Sequence, residues 1–354
     1  MLPKDGWESD THKALCNLIE TQGNKSASYD PACPPYAVFD YDNTTLVNDI
    51  SVTLMIYQIE HLSYHFAPEQ AFGVFTAYLP DLDKTLEGIG MSARELAGDL
   101  SADYGFLYGA CERKSLEEIH ESIEYKDFRA KLMALNEGVE NTFDYSTWCL
   151  WQPRLFSGMT YAQLQELTRE SVDYWQSFNG KASEIWDENW SSPDGKVAVA
   201  VRKGLVLPKE SIELYAALKD NGFDVYICSA SLEAIVEAMA CEPKYGLGMD
   251  PSRVFGIRLE DKQMVDGPFE SDYDQTFLEG KSACIRKFMA PEHGGKGPAL
   301  VAGDSNGDFD MLTAFDDMQL GLLFDCRRSG PIAELISNHD NTYTVQPRYQ
   351  YSIR

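Results

Sequence analysis

The sequence contains five short apolar runs of the kind that form buried parallel strands. Each run is rich in β-branched or aromatic residues, as strands that are covered on both faces require. Helical patterns separate most of these runs, and strands alternating with helices predict a doubly wound α/β fold with a parallel sheet. The runs are YAVFDYD at 36–42, DVYICSAS at 224–231, RVFGIRL at 253–259, PALVAGDS at 298–305 and LGLLFD at 320–325.

The segment before the second run shows the helical pattern clearly. In PKESIELYAALKDNG, the apolar side chains of Ile212, Tyr215 and Leu218 fall on one helical face. Pro208 stands near the start of the segment and Gly222 just past its end, as is typical of helix boundaries. We therefore predict an amphipathic helix that packs on the sheet.

Residues 51–199 have a different pattern, with helical periodicity, frequent aromatic residues and no convincing buried strand. Residues 115–118 (SLEE) and 160–163 (TYAQ) are both capping boxes that open helices. This segment begins directly after the acidic turn that ends the first run. We predict a large helical cap domain of residues 51–199, inserted into a core domain of residues 1–50 and 200–354.

Charged and polar side chains stand at or near the ends of three of the five runs, and a lysine opens a helix between the third and fourth. The carboxyl ends of parallel strands meet at one edge of a sheet, where ligands bind in wound α/β folds. We therefore expect these side chains to lie together. They are Asp40 and Asp42 after the first run, Ser229 at the end of the second, Lys281 on the helix, and Asp304 and Asp308 after the fourth.

Clustered carboxylates are costly unless a cation neutralises them, because like charges a few Å apart raise one another's pKa. Oxygen ligands without nearby histidine or cysteine point to Mg²⁺, which binds a few carboxylates and keeps positions open for water and phosphate. The sequence therefore predicts a magnesium site that draws a phosphate group to the edge of the sheet.

With Mg²⁺ and phosphate in place, an aspartate can attack phosphorus and form an aspartyl-phosphate. We predict that Asp40 is this nucleophile and that Asp42 protonates the leaving alcohol and later deprotonates water. Ser229 and Lys281 would bind the phosphoryl group, Ser229 through a hydrogen bond and Lys281 through its positive charge.

Each of these features also has an ordinary structural interpretation. A DxDxT pattern occurs by chance, a serine at a strand end is often a turn residue, and a helical lysine is usually solvated. GDSNGD could also be a Ca²⁺-type loop or a polar turn. The order of the four features, each beside an apolar run, favours the catalytic interpretation.

FDYDNTT, VYICSAS, EGK and VAGDSNGDFDML resemble the four motifs of the haloacid dehalogenase superfamily, in the branch of phosphoserine and phosphorylcholine phosphatases. The resemblance covers about residues 36–50 and 200–330. It implies that Asp40 is the nucleophile and Asp42 the acid and base. It also implies Mg²⁺ held by the Asp40 carboxylate, the main-chain carbonyl of Asp42 and the Asp304 carboxylate, with Asp308 in support. True dehalogenases lack the second aspartate, so the resemblance implies a phosphatase.

The substrate is expected to be a small phosphomonoester such as phosphocholine. DNTT, the SAS form of the second motif, the aromatic cap and the VQPR tail resemble the phosphorylcholine phosphatase branch. A quaternary ammonium group needs aromatic walls, and Trp148 and Trp151 in the cap are the first candidates, although cap aromatics more often form their own core. For phosphoserine, the cap would instead need a cation such as Arg154 or Arg202. A catalytically silent Mg²⁺-binding or phosphate-binding module is the third alternative.

The acidic composition limits the classes of molecule that the protein is expected to bind. With 56 acidic and 30 basic residues, the net charge of −26 would repel nucleic acids and anionic membranes and is compatible with a cationic head group. No window approaches the ~20 apolar residues of a membrane span, and MLPKDGWESD is not a signal peptide. We expect a soluble protein, cytoplasmic as the chain stands, or periplasmic or secreted if a signal has been removed. The eight scattered cysteines are expected to be mostly reduced and buried, although an even number would permit disulfides.

Overall fold

The computed structural model describes residues 2–177 and 184–348 of the 354-residue chain. Its main element is a sheet of six parallel strands in the order β5-β4-β1-β6-β7-β8. The predicted doubly wound α/β fold is confirmed. The strands are β1 (Tyr36–Phe39), β2 (Trp186–Ser191), β3 (Ala198–Lys203), β4 (Asp224–Leu232), β5 (Val254–Ile257), β6 (Leu300–Gly303), β7 (Leu320–Asp325) and β8 (Tyr343–Pro347).

All five apolar runs form strands of this sheet, namely β1, β4, β5, β6 and β7. The sixth strand, β8, pairs in parallel with β7 at the edge of the sheet. The sequence does not predict this strand, because its TYTVQ pattern has little apolar content. An edge strand needs less apolar surface than a central one.

Helices cover both faces of the sheet. The four residues of β1 are all buried, and successive side chains of a strand point to opposite faces. Ala37 and Phe39 belong to one apolar cluster, while Tyr36 and Val38 belong to the other. The helices are α1 (Ser9–Gln22), α2 (Ile50–His61), α3 (Ala71–Phe75), α4 (Ala93–Ala110), α5 (Leu116–His120), α6 (Ile123–Thr142), α7 (Tyr145–Trp151), α8 (Tyr161–Ser177), α9 (Lys209–Asp220), α10 (Glu233–Ala240), α11 (Glu279–Cys284), α12 (Phe309–Thr313) and α13 (Pro331–Asn338).

The predicted helix boundaries and capping boxes are confirmed. Helix α9 follows Pro208, and Gly222 lies just beyond it with a positive φ of 83°. Both capping boxes form: the Ser115 hydroxyl accepts from the Glu118 amide at the start of α5, and the Gln163 side chain accepts from the Thr160 amide at the start of α8. These contacts satisfy amide groups that have no partner within the helix.

The segment between β1 and β4 is helical from α2 to α8, as the sequence predicts. The sequence shows no convincing buried strand here, and the structure adds a half-exposed antiparallel pair, β2 and β3, that the sequence does not predict. Their residues alternate between exposed and more buried positions, so neither strand has a continuous apolar run. The residue limits of the cap and core domains stay a prediction.

The two ends of this inserted segment lie side by side. Val47, just before α2, forms an antiparallel bridge with Val206, just after β3. The Val47 amide donates to the Val206 carbonyl at 2.8 Å. The side chain of Asn48 adds a hydrogen bond to the Gly204 carbonyl at 2.8 Å. The insertion therefore leaves and rejoins the core at one point.

All eight cysteines are unpaired in the structure, and their reduced state stays a prediction. Only Cys149, Cys228 and Cys284 are buried, so the expectation of mostly buried thiols is wrong. Among the helices that the structure describes, none has both the length and the apolar character needed to cross a membrane.

Candidate active site

A cavity of about 300 Å³ opens at the carboxyl end of the sheet. Strand β1 lies between β4 and β6, so the chain crosses from one half of the sheet to the other at this point. Ligands of doubly wound folds bind at such a position. The lining includes the predicted site residues Asp40, Asp42, Lys281 and Asp304.

The loop after β1 gives Asp40 and Asp42 different directions. Asn43 adopts the left-handed conformation, with a φ of 56°, which asparagine tolerates better than most residues. The Thr45 hydroxyl donates to the Asp40 carbonyl at 2.7 Å, and the Leu46 amide donates to the Tyr41 carbonyl at 3.0 Å. The turn is therefore tightly bonded, and its two carboxylates do not face each other.

Asp40 faces Lys281, which lies between two carboxylates. The Lys281 ammonium is 2.6 Å from Oδ1 of Asp40 and 2.5 Å from Oδ1 of Asp308. All three residues are buried. Burial and the nearby Asp308 raise the pKa of Asp40 to about 8, although Lys281 acts in the opposite direction. Burial alone would lower the pKa of Lys281, but the charges of Asp308 and Asp40 outweigh it and raise that pKa.

Asp304, after β6, is held from two sides. The Thr44 hydroxyl donates to its Oδ1 at 3.4 Å, and Arg328 donates to its Oδ2 at 3.2 Å. Burial raises the pKa of Asp304 to about 6, against the effect of Arg328. Asp308 shapes the same loop, because its Oδ2 accepts from the amides of Asp304 and Ser305.

Asp40, Asp304 and Asp308 offer carboxylate oxygens that all lie within 4.8 Å of one another. Three buried carboxylates at this spacing suit a hard divalent cation, which prefers oxygen ligands. The acidic side chains therefore fit the magnesium ion that the sequence predicts.

The carboxylate of Asp42 points elsewhere. It accepts hydrogen bonds from the Ile50 amide and from the Ser231 hydroxyl, both at 2.7 Å. Ser231 in turn accepts from Ser51. Burial, together with the charges of Asp49 and Asp40, raises the pKa of Asp42 well above its ordinary value. The Asp42 carboxylate is not part of the cluster formed by Asp40, Asp304 and Asp308, and a role of Asp42 in metal binding stays a prediction.

Ser229 is fully buried in β4 and is absent from the cavity lining, although the lining includes Ala230 and Ser231. Its hydroxyl oxygen accepts from the Ser231 amide at 3.1 Å. Its role in phosphate binding stays a prediction.

The two cap tryptophans have different surroundings. Trp148 lines the cavity and stacks on Tyr145, with ring centroids 5.7 Å apart. Trp151 is fully buried, and its indole donates to the Phe75 carbonyl. Of the two, the structure brings only Trp148 to the cavity, because Trp151 packs in the interior of the inserted segment.

Arg154, a candidate for a substrate carboxylate, is also committed elsewhere. It is buried and donates to the main-chain carbonyls of Val265 and Gly267. Neither Arg154 nor Arg202 lines the cavity.

Sequence reasoning missed several lining residues, namely Asp49, Glu140, Tyr145 and Arg328. Arg328 follows β7 and could have been found by asking what stands after every strand. Tyr145 is three residues before Trp148, and that spacing places both on one helical face. Nothing local distinguishes Asp49 or Glu140 from the many other acidic residues of the chain.

Residues 79–313 match the model of the haloacid dehalogenase-like hydrolase family. The match spans more than half of the chain, and the chain belongs to this family of hydrolases. Asp40 and Asp42 precede the matched region.

The chain is also similar to one characterised protein and to one protein of known structure. The chain is 25% identical over 323 residues to the phosphorylcholine phosphatase of Pseudomonas aeruginosa, covering 84% of this chain and 74% of that one. A crystal structure of a conserved protein of unknown function from Anaerococcus prevotii superimposes with a TM-score of 0.87 and 25% identity, covering 100% of this chain and 98% of that one. With the family and the phosphatase relative in agreement, the protein is a phosphatase.

Proposed function

We propose that the protein is a Mg²⁺-dependent phosphatase of small phosphomonoesters that works through an aspartyl-phosphate on Asp40. The observation that carries the proposal is the meeting of Asp40, Asp304 and Asp308 within 4.8 Å, at the edge of the sheet where ligands bind. Lys281 supplies a fixed positive charge between two of these carboxylates. Such preorganised charge is the main contribution of a protein to phosphoryl transfer.

The magnesium ion would be held by Asp40, Asp304 and the main-chain oxygen of Asp42, with Asp308 in support, and would neutralise charge on the phosphoryl group. In the first step a carboxylate oxygen of Asp40 bonds to phosphorus, and the bond from phosphorus to the substrate alcohol breaks. Asp42 gives its proton to the departing oxygen. The raised pKa of Asp42 supports this role, because the group must begin protonated.

In the second step the now ionised Asp42 takes a proton from water, whose oxygen bonds to phosphorus. The bond between Asp40 and phosphorus breaks, and inorganic phosphate leaves. Ser231 supports Asp42 in both steps, since its hydroxyl hydrogen bond keeps the carboxyl group in one orientation.

Phosphocholine is the substrate that the cavity favours. Tyr145 and Trp148 give one aromatic wall, while Asp49 and Glu140 add negative charge to the same cavity. A quaternary ammonium is attracted by aromatic faces and by carboxylates. The volume of about 300 Å³ suits a small metabolite. The relative from P. aeruginosa, named a phosphorylcholine phosphatase, supports the same substrate.

Phosphoserine is the second candidate, and Arg328 is the observation in its favour. This side chain lines the cavity and donates to Asp304, so its guanidinium group is near enough to meet a substrate carboxylate. A substrate that carries a carboxylate would have to avoid Asp49 and Glu140, however. Phosphocholine has no such conflict.

Hydrolysis of p-nitrophenyl phosphate, with Mg²⁺ and with a chelator, tests the proposed chemistry. Asp40→Asn should lower kcat on the order of 10³-fold or more and leave the fold intact, because an amide is a poor nucleophile of nearly the same shape. Asp250→Asn, on the exposed surface, is the matched control and should retain activity. A wild-type protein that releases no p-nitrophenol in Mg²⁺ would instead be a silent binding module.

The substrate is tested by ranking kcat/KM for phosphocholine, phosphoethanolamine and phosphoserine. Phosphocholine should exceed phosphoethanolamine, because the methylated cation gains more from aromatic faces. A preference for phosphoserine would assign Arg328 to the substrate and reject the cation site.

A further inference from the structure

Arg348 follows the last strand of the sheet and reaches the loop that carries Asp40. Its side chain is buried, and it donates through Nε to the Asn43 carbonyl at 3.4 Å and through Nη2 to the Thr44 carbonyl. Its guanidinium carbon lies 4.2 Å from the centre of the Phe324 ring. An arginine more than 300 residues away in sequence thus binds two successive carbonyls of the loop after β1.

The charge of Arg348 is balanced where it is buried. Glu210, in the first turn of α9, lies 3.4 Å from Nη1, and the Ser211 hydroxyl lies 3.3 Å from Nη2. The guanidinium group is planar and donates in several fixed directions at once. Arg348 can therefore hold two loop carbonyls, a carboxylate and an aromatic face in one geometry, which the compact ammonium of lysine cannot reproduce.

The two carbonyls that Arg348 binds belong to the residues directly after Asp42. Asn43 is the residue with left-handed backbone, and its conformation separates the directions of Asp40 and Asp42. The hydroxyl of Thr44 donates to Asp304. A shift of this stretch would move Asp40 relative to Lys281 and would break the contact between Thr44 and Asp304.

We propose that Arg348 is a positioning residue for the phosphatase reaction, which fixes the Asp40 loop from outside the cavity. Arg348 is not a catalytic residue, since it is not part of the cavity lining. This inference rests on the proposed role of Asp40. Misplacing a reacting group by about 1 Å can cost on the order of 10²-fold in rate, while substrate binding by other groups is preserved.

The experiment compares Arg348→Met, Arg348→Lys and Arg348→Ala with Arg258→Met. Arg258 is a matched control, because it pairs with the buried Glu233 at 2.8 Å and lies 4.2 Å from the centre of the Tyr273 ring, yet it does not line the cavity. Activity on p-nitrophenyl phosphate is expressed per folded molecule, measured by circular dichroism. The inhibition constant for inorganic phosphate is measured in parallel.

Arg348→Met should lower kcat on the order of 10²-fold, and Arg348→Lys about 10-fold, with KM and phosphate inhibition changed less than about threefold. Millimolar guanidinium ion should restore part of kcat in Arg348→Ala, because it can occupy the vacated space. Arg258→Met should keep kcat within about threefold of the wild type.

A kcat within about threefold of the wild type in Arg348→Met would overturn the inference, and so would an equal loss in Arg258→Met. If the Met variant does not fold, the kcat of the Lys variant and the guanidinium rescue of Arg348→Ala test the positioning role instead. A Lys variant that does not fold would mean that the whole fold requires Arg348, which also rejects a specific positioning role. Failure of the proposed chemistry would be visible separately, as an active Asp40→Asn variant.

Discussion

The buried lysine of the site permits a sharp test of the charge arrangement. Lys281 is 1% exposed and lies between Asp40 and Asp308, which are 5% and 0% exposed. In Lys281→Met the side chain keeps a similar length but loses its charge. Two buried carboxylates would then face each other without a cation, and breaking a buried ion pair in this way costs about 3–5 kcal/mol.

For a chain of this length, that loss lowers Tm by about 4–7 °C. Scanning calorimetry at pH 8 in a chelator measures this difference in Tm between Lys281→Met and the wild type. The double variant Lys281→Met with Asp308→Asn should recover part of the loss, because one of the unpaired charges is gone. At pH 5 the effect should be smaller, since Asp40, whose pKa burial raises to about 8, takes up a proton.

The same variant should lose on the order of 10²- to 10³-fold in kcat, as is typical when one preorganised electrostatic group is removed from an active site. Saturating Mg²⁺ should return part of the lost Tm by supplying positive charge near Asp40. A Lys281→Met protein as stable as the wild type at pH 8, without the second substitution, would refute the view that Lys281 neutralises these carboxylates.

Three further outcomes are expected from the described contacts. Burial raises the pKa of Asp40 to about 8 and that of Asp304 to about 6, so the contribution of these groups to stability is present at low pH and is lost as pH rises between about 4 and 8. In chelator, the Tm measured by calorimetry should therefore fall over this range, and Mg²⁺ should reduce the fall. A Tm that rises over this range would contradict the prediction. Asp304→Asn should raise the Mg²⁺ concentration for half-maximal activity at least about tenfold in a magnesium titration, and an unchanged value would remove Asp304 from the ligand set. Trp148→Phe should raise KM for phosphocholine about 3- to 10-fold with little change for p-nitrophenyl phosphate, whereas Trp151→Phe should cost about 1–2 kcal/mol of stability in denaturant unfolding and leave both KM values unchanged. Equal effects of the two tryptophan substitutions on KM would mean that Trp148 only packs.

The sequence predicts the sheet well because the central strands are buried on both faces. Such strands must be apolar along their whole length, and the runs of β1, β4, β6 and β7 are visible for that reason. The run of β5 is visible because this edge strand is also buried at all four residues. The half-exposed pair β2 and β3 has no comparable signal. The edge strand β8 also lacks such a signal, since it contains both polar and apolar residues.

The meeting of Asp40, Lys281 and Asp304 follows from topology, because parallel strands deliver their carboxyl ends to one edge. The direction of each side chain does not follow from it. The Asp42 side chain turns towards Ser231 because Asn43 in the loop has a left-handed backbone conformation. The different surroundings of Trp148 and Trp151 depend on how a single helix is rotated, which residue type alone does not determine.

The bridge between Val47 and Val206 has a consequence for how enzymes of this kind diversify. More than 150 residues enter and leave the core through this one bridge beside the reactive loop, and within them α8 packs on α10 of the core. A different module spliced between the same two valines would keep the strands and the phosphorus chemistry if it also covered α10, and the choice of alcohol would then change with the module.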